Sequence, residues 1–318
     1  MRRALLTIFL AFLSASVLAQ SYPSRPVRIV VAFPPGGSAD VLGRLMAVKL
    51  SELWTQPVVI ENKPGASANI GADHVAKSPP DGYTLLLATP ALAVSAAAFS
   101  NLTYDAQRDL APVAMVSVFA NVLVVHPSVP AATPQELIRY AKANPGKLSY
   151  ASAGSTSAIR FAFEHFKQIT GIDAVHIPYK GSAPSTQAMI SGESHTMMMT
   201  LVDALPHIKN GRLRALAATT ASRIAVLPEL PTLSETAAPG FDYITWHGFF
   251  APAGTPAAVI EKINRDVNSV LGQADVKERL TTMGMDIRPG TPADLGSLFR
   301  EEISKWKEVA RVANIKAE

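Results

Sequence analysis

RIVVAFPPGGSADVLGRLM, Arg28 to Met46, and LSYASAGSTSAIRFAFEHF, Leu148 to Phe166, share one design. Each passes from a short apolar strand through a turn of small residues into an amphipathic helix. Such a turn aims free backbone N–H groups and the positive end of a helix dipole at one point. It can therefore hold an anion without a cationic side chain. In Phe33-Pro34-Pro35-Gly36-Gly37-Ser38 the prolines stiffen the entry, and the glycines allow unusual φ values and close ligand approach. Ser38 is placed to offer its hydroxyl or to cap the helix. Gly154-Ser155-Thr156-Ser157 repeats these parts with three hydroxyls. One such turn alone reads as an ordinary strand-to-helix connection. A pair in one chain predicts two lobes closing on a small acid.

Outward from these segments, apolar runs alternate with helical patterns, which predicts an α/β fold with mainly parallel sheets. Strands are expected at Val27–Phe33, Pro57–Glu61, Tyr83–Ala88, Ala174–Ile177, Met197–Leu201, Leu213–Ala218 and Phe241–Ala251, with one or two over Val113–Val125. Val41, Leu42, Leu45, Met46 and Leu53 mark the inner face of the first signature helix; Ile159, Phe163 and Phe166 mark that of the second. Thr133-Pro134-Gln135-Glu136 carries a capping-box pattern, and Thr255-Pro256 and Thr291-Pro292 repeat a Thr-before-Pro helix start.

Composition narrows the function classes. With 48% hydrophobic and 17% charged residues in 318, sizeable cores and two domains are expected. Arg2 and Arg3, the apolar run Ala4–Leu13, and Val17-Leu18-Ala19 read as a secretory signal cut near Ala19. The cut leaves 27 bases against 25 acids, a charge of +2, too balanced for a nucleic-acid partner. The absence of cysteine excludes disulfides, thiol chemistry and a lipobox anchor. Together these predict a free soluble protein outside the cytoplasm, expected as a monomer.

The chemistry is that of backbone. There is no G-x-S-x-G elbow, no H-E-x-x-H and no Walker motif, and the seven histidines are scattered. No catalytic residue, metal or cofactor is expected. Further cleft-lining candidates are the turn Lys63–Asn69, with Ala68 and Asn69, and Thr89-Pro90-Ala91 at the end of a strand. Arg160, in the first turn of the second helix, is a candidate partner for a second ligand carboxylate. Asp40 fits a first-turn acid that serves its helix rather than the ligand.

These blocks resemble the substrate-binding proteins of tripartite tricarboxylate transporters, the Bug family of periplasmic receptors. The resemblance runs through YPSRPVRIVVAFPPGGSAD (Tyr22–Asp40), PVVIENKPGASANIGADHVAKSPPDGYTLLLAT (Pro57–Thr89), ELIRYAKANPGKLSYASAG (Glu136–Gly154), VHIPYKGSAP (Val175–Pro184), ALPHIKNGRLRALAATTASR (Ala204–Arg223) and FFAPAGTP (Phe249–Pro256). It implies a two-lobe, type II-like Venus flytrap with crossover hinge strands. Lobe 1 is expected at 20–122 plus 246–318, and lobe 2 at 123–245. It also implies a mono- or dicarboxylate held between Phe33, Pro35, Gly36, Gly37, Ser38 and Gly154, Ser155, Thr156, Ser157. Ala68, Asn69, Thr89 and Ala91 would line the cleft. The implied partners are the membrane subunits of a secondary transporter, with a membrane sensor as the alternative. A periplasmic enzyme using His195 or Asp203 is the rival of another class. The chain departs from the usual pattern at Thr156, Arg160, His195 and Thr200-Leu201-Val202-Asp203, which singles these out for ligand choice.

Overall fold

The computed structural model describes residues 22–315. The expected signal segment lies outside them. Strand β1 (Val27–Val31) alternates its side chains between two apolar clusters, Ile29 and Val31 facing one and Val30 the other. This double burial is why the strand reads as a continuous apolar run. β1 pairs in parallel with β2 (Val58–Asn62) and β3 (Thr84–Ala88). In the second lobe β5 (Ser149–Ser152) pairs in parallel with β6 (Val175–Pro178) and β7 (Thr196–Thr200).

The lobes are joined through β4 (Leu110–Val125) and β9 (Ile244–Pro252), which run antiparallel. β4 is one strand of 16 residues with register shifts, where the sequence left open one strand or two. Its first half pairs with β9, and its last residues, from Asn121, pair with β7 and β8 (Arg214–Ala218). A two-residue strand, β10 (Asp286–Ile287), also pairs with β4. The mainly parallel expectation thus holds within β1–β3 and β5–β7, while the crossover strands make the whole sheet mixed.

Register decides where the strand ends point. β9 leaves the crossover at Ile244, and β3 runs antiparallel to it, so Ala88 at the end of β3 points back toward the crossover. β7 is antiparallel to β4 and ends with Thr200 opposite Asn121. The carboxyl ends of both parallel sets therefore face each other across the junction.

Helices cover both faces of the first set. α1 (Ser38–Trp54), α9 (Ala257–Leu271) and α10 (Ala274–Thr282) pack on one face. α2 (Asn69–Ala76), α3 (Pro90–Ala98) and α11 (Pro292–Val312) pack on the other. In α1 the buried stripe is Leu42, Met46, Leu50 and Trp54; Leu53 is 45% exposed, because the stripe follows the i+4 ridge rather than including that position. α5 (Ala158–Thr170) buries Ile159, Phe163 and Phe166 as its spacing predicts. α4 (Pro134–Ala143), α6 (Ser182–Ser191), α7 (Leu201–Lys209) and the short α8 (Leu233–Thr236) complete the second lobe. One apolar cluster runs continuously from Val30 and Leu86 through Val122–Val125 to Phe163. α11 strengthens that continuity: Trp306 meets Phe161 edge-on at 6.2 Å, and the Gln168 amide donates to the Val309 carbonyl at 3.0 Å.

The capping patterns divide. Thr291 and Asp294 form a complete box at α11. At α4 the Thr133 hydroxyl caps, but the Glu136 carboxylate accepts from Ala132 N–H rather than closing a box on Thr133. At α9 the cap position is Pro256, and the Thr255 hydroxyl donates instead to the Pro252 carbonyl. Among the described residues no helix is long and apolar enough to cross a membrane.

Candidate functional site

β1 and α1 are joined by an exposed loop, Pro34–Gly37. Gly36 has φ +91°, a left-handed value that suits glycine. Its N–H does not face a ligand: it donates to the Asp40 carboxylate at 2.9 Å. That carboxylate also accepts from Arg44 through two nitrogens at 3.0 Å and from the Asn62 amide at 2.9 Å. Burial alone would raise the Asp40 pKa, but these donors outweigh it and lower it to about 2. Asp40 thus plays a structural part rather than meeting the ligand, as expected, but it braces the loop where the sequence had it serving its helix.

Ser38 does not cap α1. Gly37 occupies the cap position, and no side chain caps the helix. The first bond of the helix runs from Val41 N–H to Gly37 carbonyl, which leaves the Ser38 and Ala39 N–H groups free of protein acceptors among the described residues. The half-buried Ser38 hydroxyl is likewise uncommitted among them, and Phe33 sits half-buried at the loop entry with its carbonyl accepting from Asn62.

The second loop is tied down differently. Gly154, at φ +146°, accepts from the Ser157 hydroxyl at 2.9 Å and from the Ser152 hydroxyl at 2.9 Å. Ser157 is the cap of α5, so its hydroxyl is spent on the helix and the loop. Ser155 is exposed, whereas Thr156 is buried. Arg160 folds back so that its guanidinium donates to the Ser155 carbonyl. Below this loop lies a polar layer. Ser152 bonds His176 Nε2 at 2.7 Å, His176 stacks on Tyr150, and the Tyr150 hydroxyl donates to Glu164. Burial first, then the charges of Arg160 and Lys167, lower the His176 pKa to about 4.

The third loop, Lys63–Asn69, is the most contorted. Ala66, Ser67 and Ala68 have φ of 45°, 56° and 77° in succession. Left-handed backbone costs a side-chain-bearing residue roughly 1–2 kcal/mol, so this run is held by its surroundings. The Ser67 carbonyl accepts from Ser95 on α3, and the Ser67 hydroxyl meets the Thr156 hydroxyl from the other lobe. That contact joins the two carboxyl edges directly. Asn69 accepts from the Tyr104 hydroxyl at 2.9 Å, while its buried amide nitrogen has no partner among the described residues. Thr89 follows the end of β3, as the sequence placed it, and it also caps α3, accepting from Ala91 N–H.

The structure thus gathers the loops at 33–38, 63–69 and 89–91 on one carboxyl edge and 154–157 on the opposing one. Asp203 is less available. It sits in the first turn of α7 and accepts from the Thr200 hydroxyl at 2.7 Å. His195 is bound through Nδ1 to the backbone and hydroxyl of Ser149. Ser67 lies in a turn the sequence named, but its reach to Thr156 had no signal, since it is the left-handed backbone that points it across; Ser95 escaped the sequence reading. A groove of about 740 Å³ lies elsewhere on the second lobe, beside Pro127, Leu213 and Leu227. It shares no residue with these loops. Among the described residues no cluster of three metal-ligating side chains occurs.

Residues 42–315 match the tripartite tricarboxylate transporter family receptor. The chain belongs to this receptor family. Protein BugT of Bordetella pertussis is 36% identical over 317 residues, covering 98% of this chain and 97% of that protein. Among solved structures, R. palustris Rpa4515 with adipate superposes with a TM-score of 0.85 at 36% identity, covering 93% of this chain and 99% of that one. MatC from Rhodopseudomonas palustris, with bound malate, gives 0.81 at 32% identity over 91% of this chain and 99% of that one. The fold is accordingly that of a two-lobe periplasmic binding protein, and the role that of a solute-binding receptor.

Proposed function

We propose that this receptor captures a small mono- or dicarboxylate between its two carboxyl edges and delivers it to the membrane subunits of a tripartite tricarboxylate-type transporter. One observation carries the reading. The uncapped N-terminus of α1, with free Ser38 and Ala39 N–H groups, stands at an edge that faces the N-terminus of α5. A carboxylate there exchanges its water shell for oriented backbone donors. Closure adds contacts to the second edge that an open form lacks, and that difference drives the equilibrium. The relatives solved with adipate and malate support the carboxylate class.

In this reading residues 20–122 with 246–318 form one lobe and 123–245 the other. The protein is exported, works as a periplasmic monomer and performs no covalent chemistry. The hydrogen-bonded positions of His195 and Asp203 support that last point. Calorimetric titration of the purified mature protein with adipate, malate and a wider carboxylate panel should give saturable one-to-one binding, with the acid recovered unchanged by NMR. Silence across the panel, together with no acid released on denaturation, would sink the reading.

A further inference from the structure

We infer that Arg160 is a positioning residue: by holding the Ser155 carbonyl it turns the Thr156 N–H toward the cleft, making the second loop a receiver of anions. The inference rests on the carboxylate reading above.

A trans peptide unit points its C=O and N–H in opposite directions. The Ser155 oxygen is bound by the Arg160 guanidinium, so the N–H of Thr156 points away from that guanidinium. The guanidinium belongs to the interior side of the loop. Its Nε is buried, and its charge acts on Tyr150, which is fully buried, and on His176. The opposite direction leads out of the lobe. Thr156 itself faces that way, since its hydroxyl meets Ser67 of the other lobe. One contact thus holds the peptide by its oxygen, and the other places the Thr156 side chain on the side facing the other lobe.

Without the guanidinium the Ser155 oxygen loses a charge-assisted bond. The neighbouring Gly154, already at φ +146°, gives the loop freedom to rotate the peptide. A carbonyl turned into the cleft repels a carboxylate but accepts from an amide NH2. The chemistry that Arg160 selects is therefore anion over neutral amide, at the near end of the ligand, and it is blind to any distal carboxylate.

The test compares adipate, hexanoate and hexanamide on the mature protein and on Arg160→Met and Arg160→Lys, by calorimetry, with circular-dichroism melts on the same samples. Arg160→Met should weaken adipate and hexanoate by the same factor, roughly tenfold or more, the scale of one charge-assisted bond. Hexanamide should hold or tighten, and Arg160→Lys should recover part of the preference for acid. Adipate falling far more than hexanoate would mean direct pairing with a distal carboxylate and would overturn the inference. So would hexanamide falling with the acids, which marks collapse of the loop, or no change at all. If Arg160→Met fails to fold, the acid-to-amide ratio in Arg160→Lys decides in the same way. Wild-type protein that binds neither acid nor any other carboxylate fails at the earlier step, and both readings then fall.

Discussion

Replacing Asp40 by Asn should remove about 2 kcal/mol of stability at pH 7 and slacken the Pro34–Gly37 loop. Asp40 is 2% exposed and takes donors from Gly36 N–H, from two nitrogens of Arg44 and from Asn62. Its pKa falls from 3.8 to about 2. At about 1.4 kcal/mol per pH unit, that depression amounts to roughly 2.5 kcal/mol. The Arg44 side chain is 54% exposed, so solvent screens its share and about 2 kcal/mol is the working figure. Asparagine keeps the shape and one acceptor but turns an NH2 against groups that are themselves donors. The sign follows from the lowered pKa. The contribution is complete above pH 4 and drains away as pH falls toward 2, with about half gone by pH 3. Urea unfolding of both proteins at pH 7 and pH 3 measures this. The gap should be about 2 kcal/mol at pH 7 and shrink to about 1 at pH 3. A gap below about 0.5 kcal/mol at pH 7, or one that does not narrow in acid, would refute the brace.

Two further outcomes follow from the packing. Gly71→Ala should destabilise by about 1–3 kcal/mol, read as a lower urea midpoint, because a Cβ there would lie 2.7 Å from Ala32 Cβ and 3.1 Å from the Lys63 carbonyl; an unchanged midpoint would contradict that contact. His247, fully buried on β9 with Nδ1 against the Ser117 hydroxyl, has its pKa lowered by burial to about 3. The unfolded chain takes up that proton near pH 6.5, so wild-type stability should fall between about pH 6.5 and 3, and His247→Gln should make the fall shallower; equal slopes would remove His247 as its source.

The sequence by itself determined the local elements and the main motifs. Short apolar runs and period-3.6 patterns are written in neighbouring residues, so β1, α1, β5 and α5 could be read directly, as could the glycine turns. The family blocks likewise sit in plain text. Tertiary structure decided which backbone donors are free. Gly36 N–H is consumed by Asp40, Ser38 is left uncapped, and Arg160 turns back onto Ser155. Each of these outcomes depends on where a side chain lies after the loop has bent, which spacing along the chain does not encode. The same holds for Leu53, exposed where the pattern placed it inside, and for the antiparallel crossover of β4 and β9. Above all, the meeting of Ser67 with Thr156 required three successive left-handed residues and two strand sets aimed at each other. Backbone strain of that kind is paid for by long-range contacts, and long-range contacts exist only once the chain has folded.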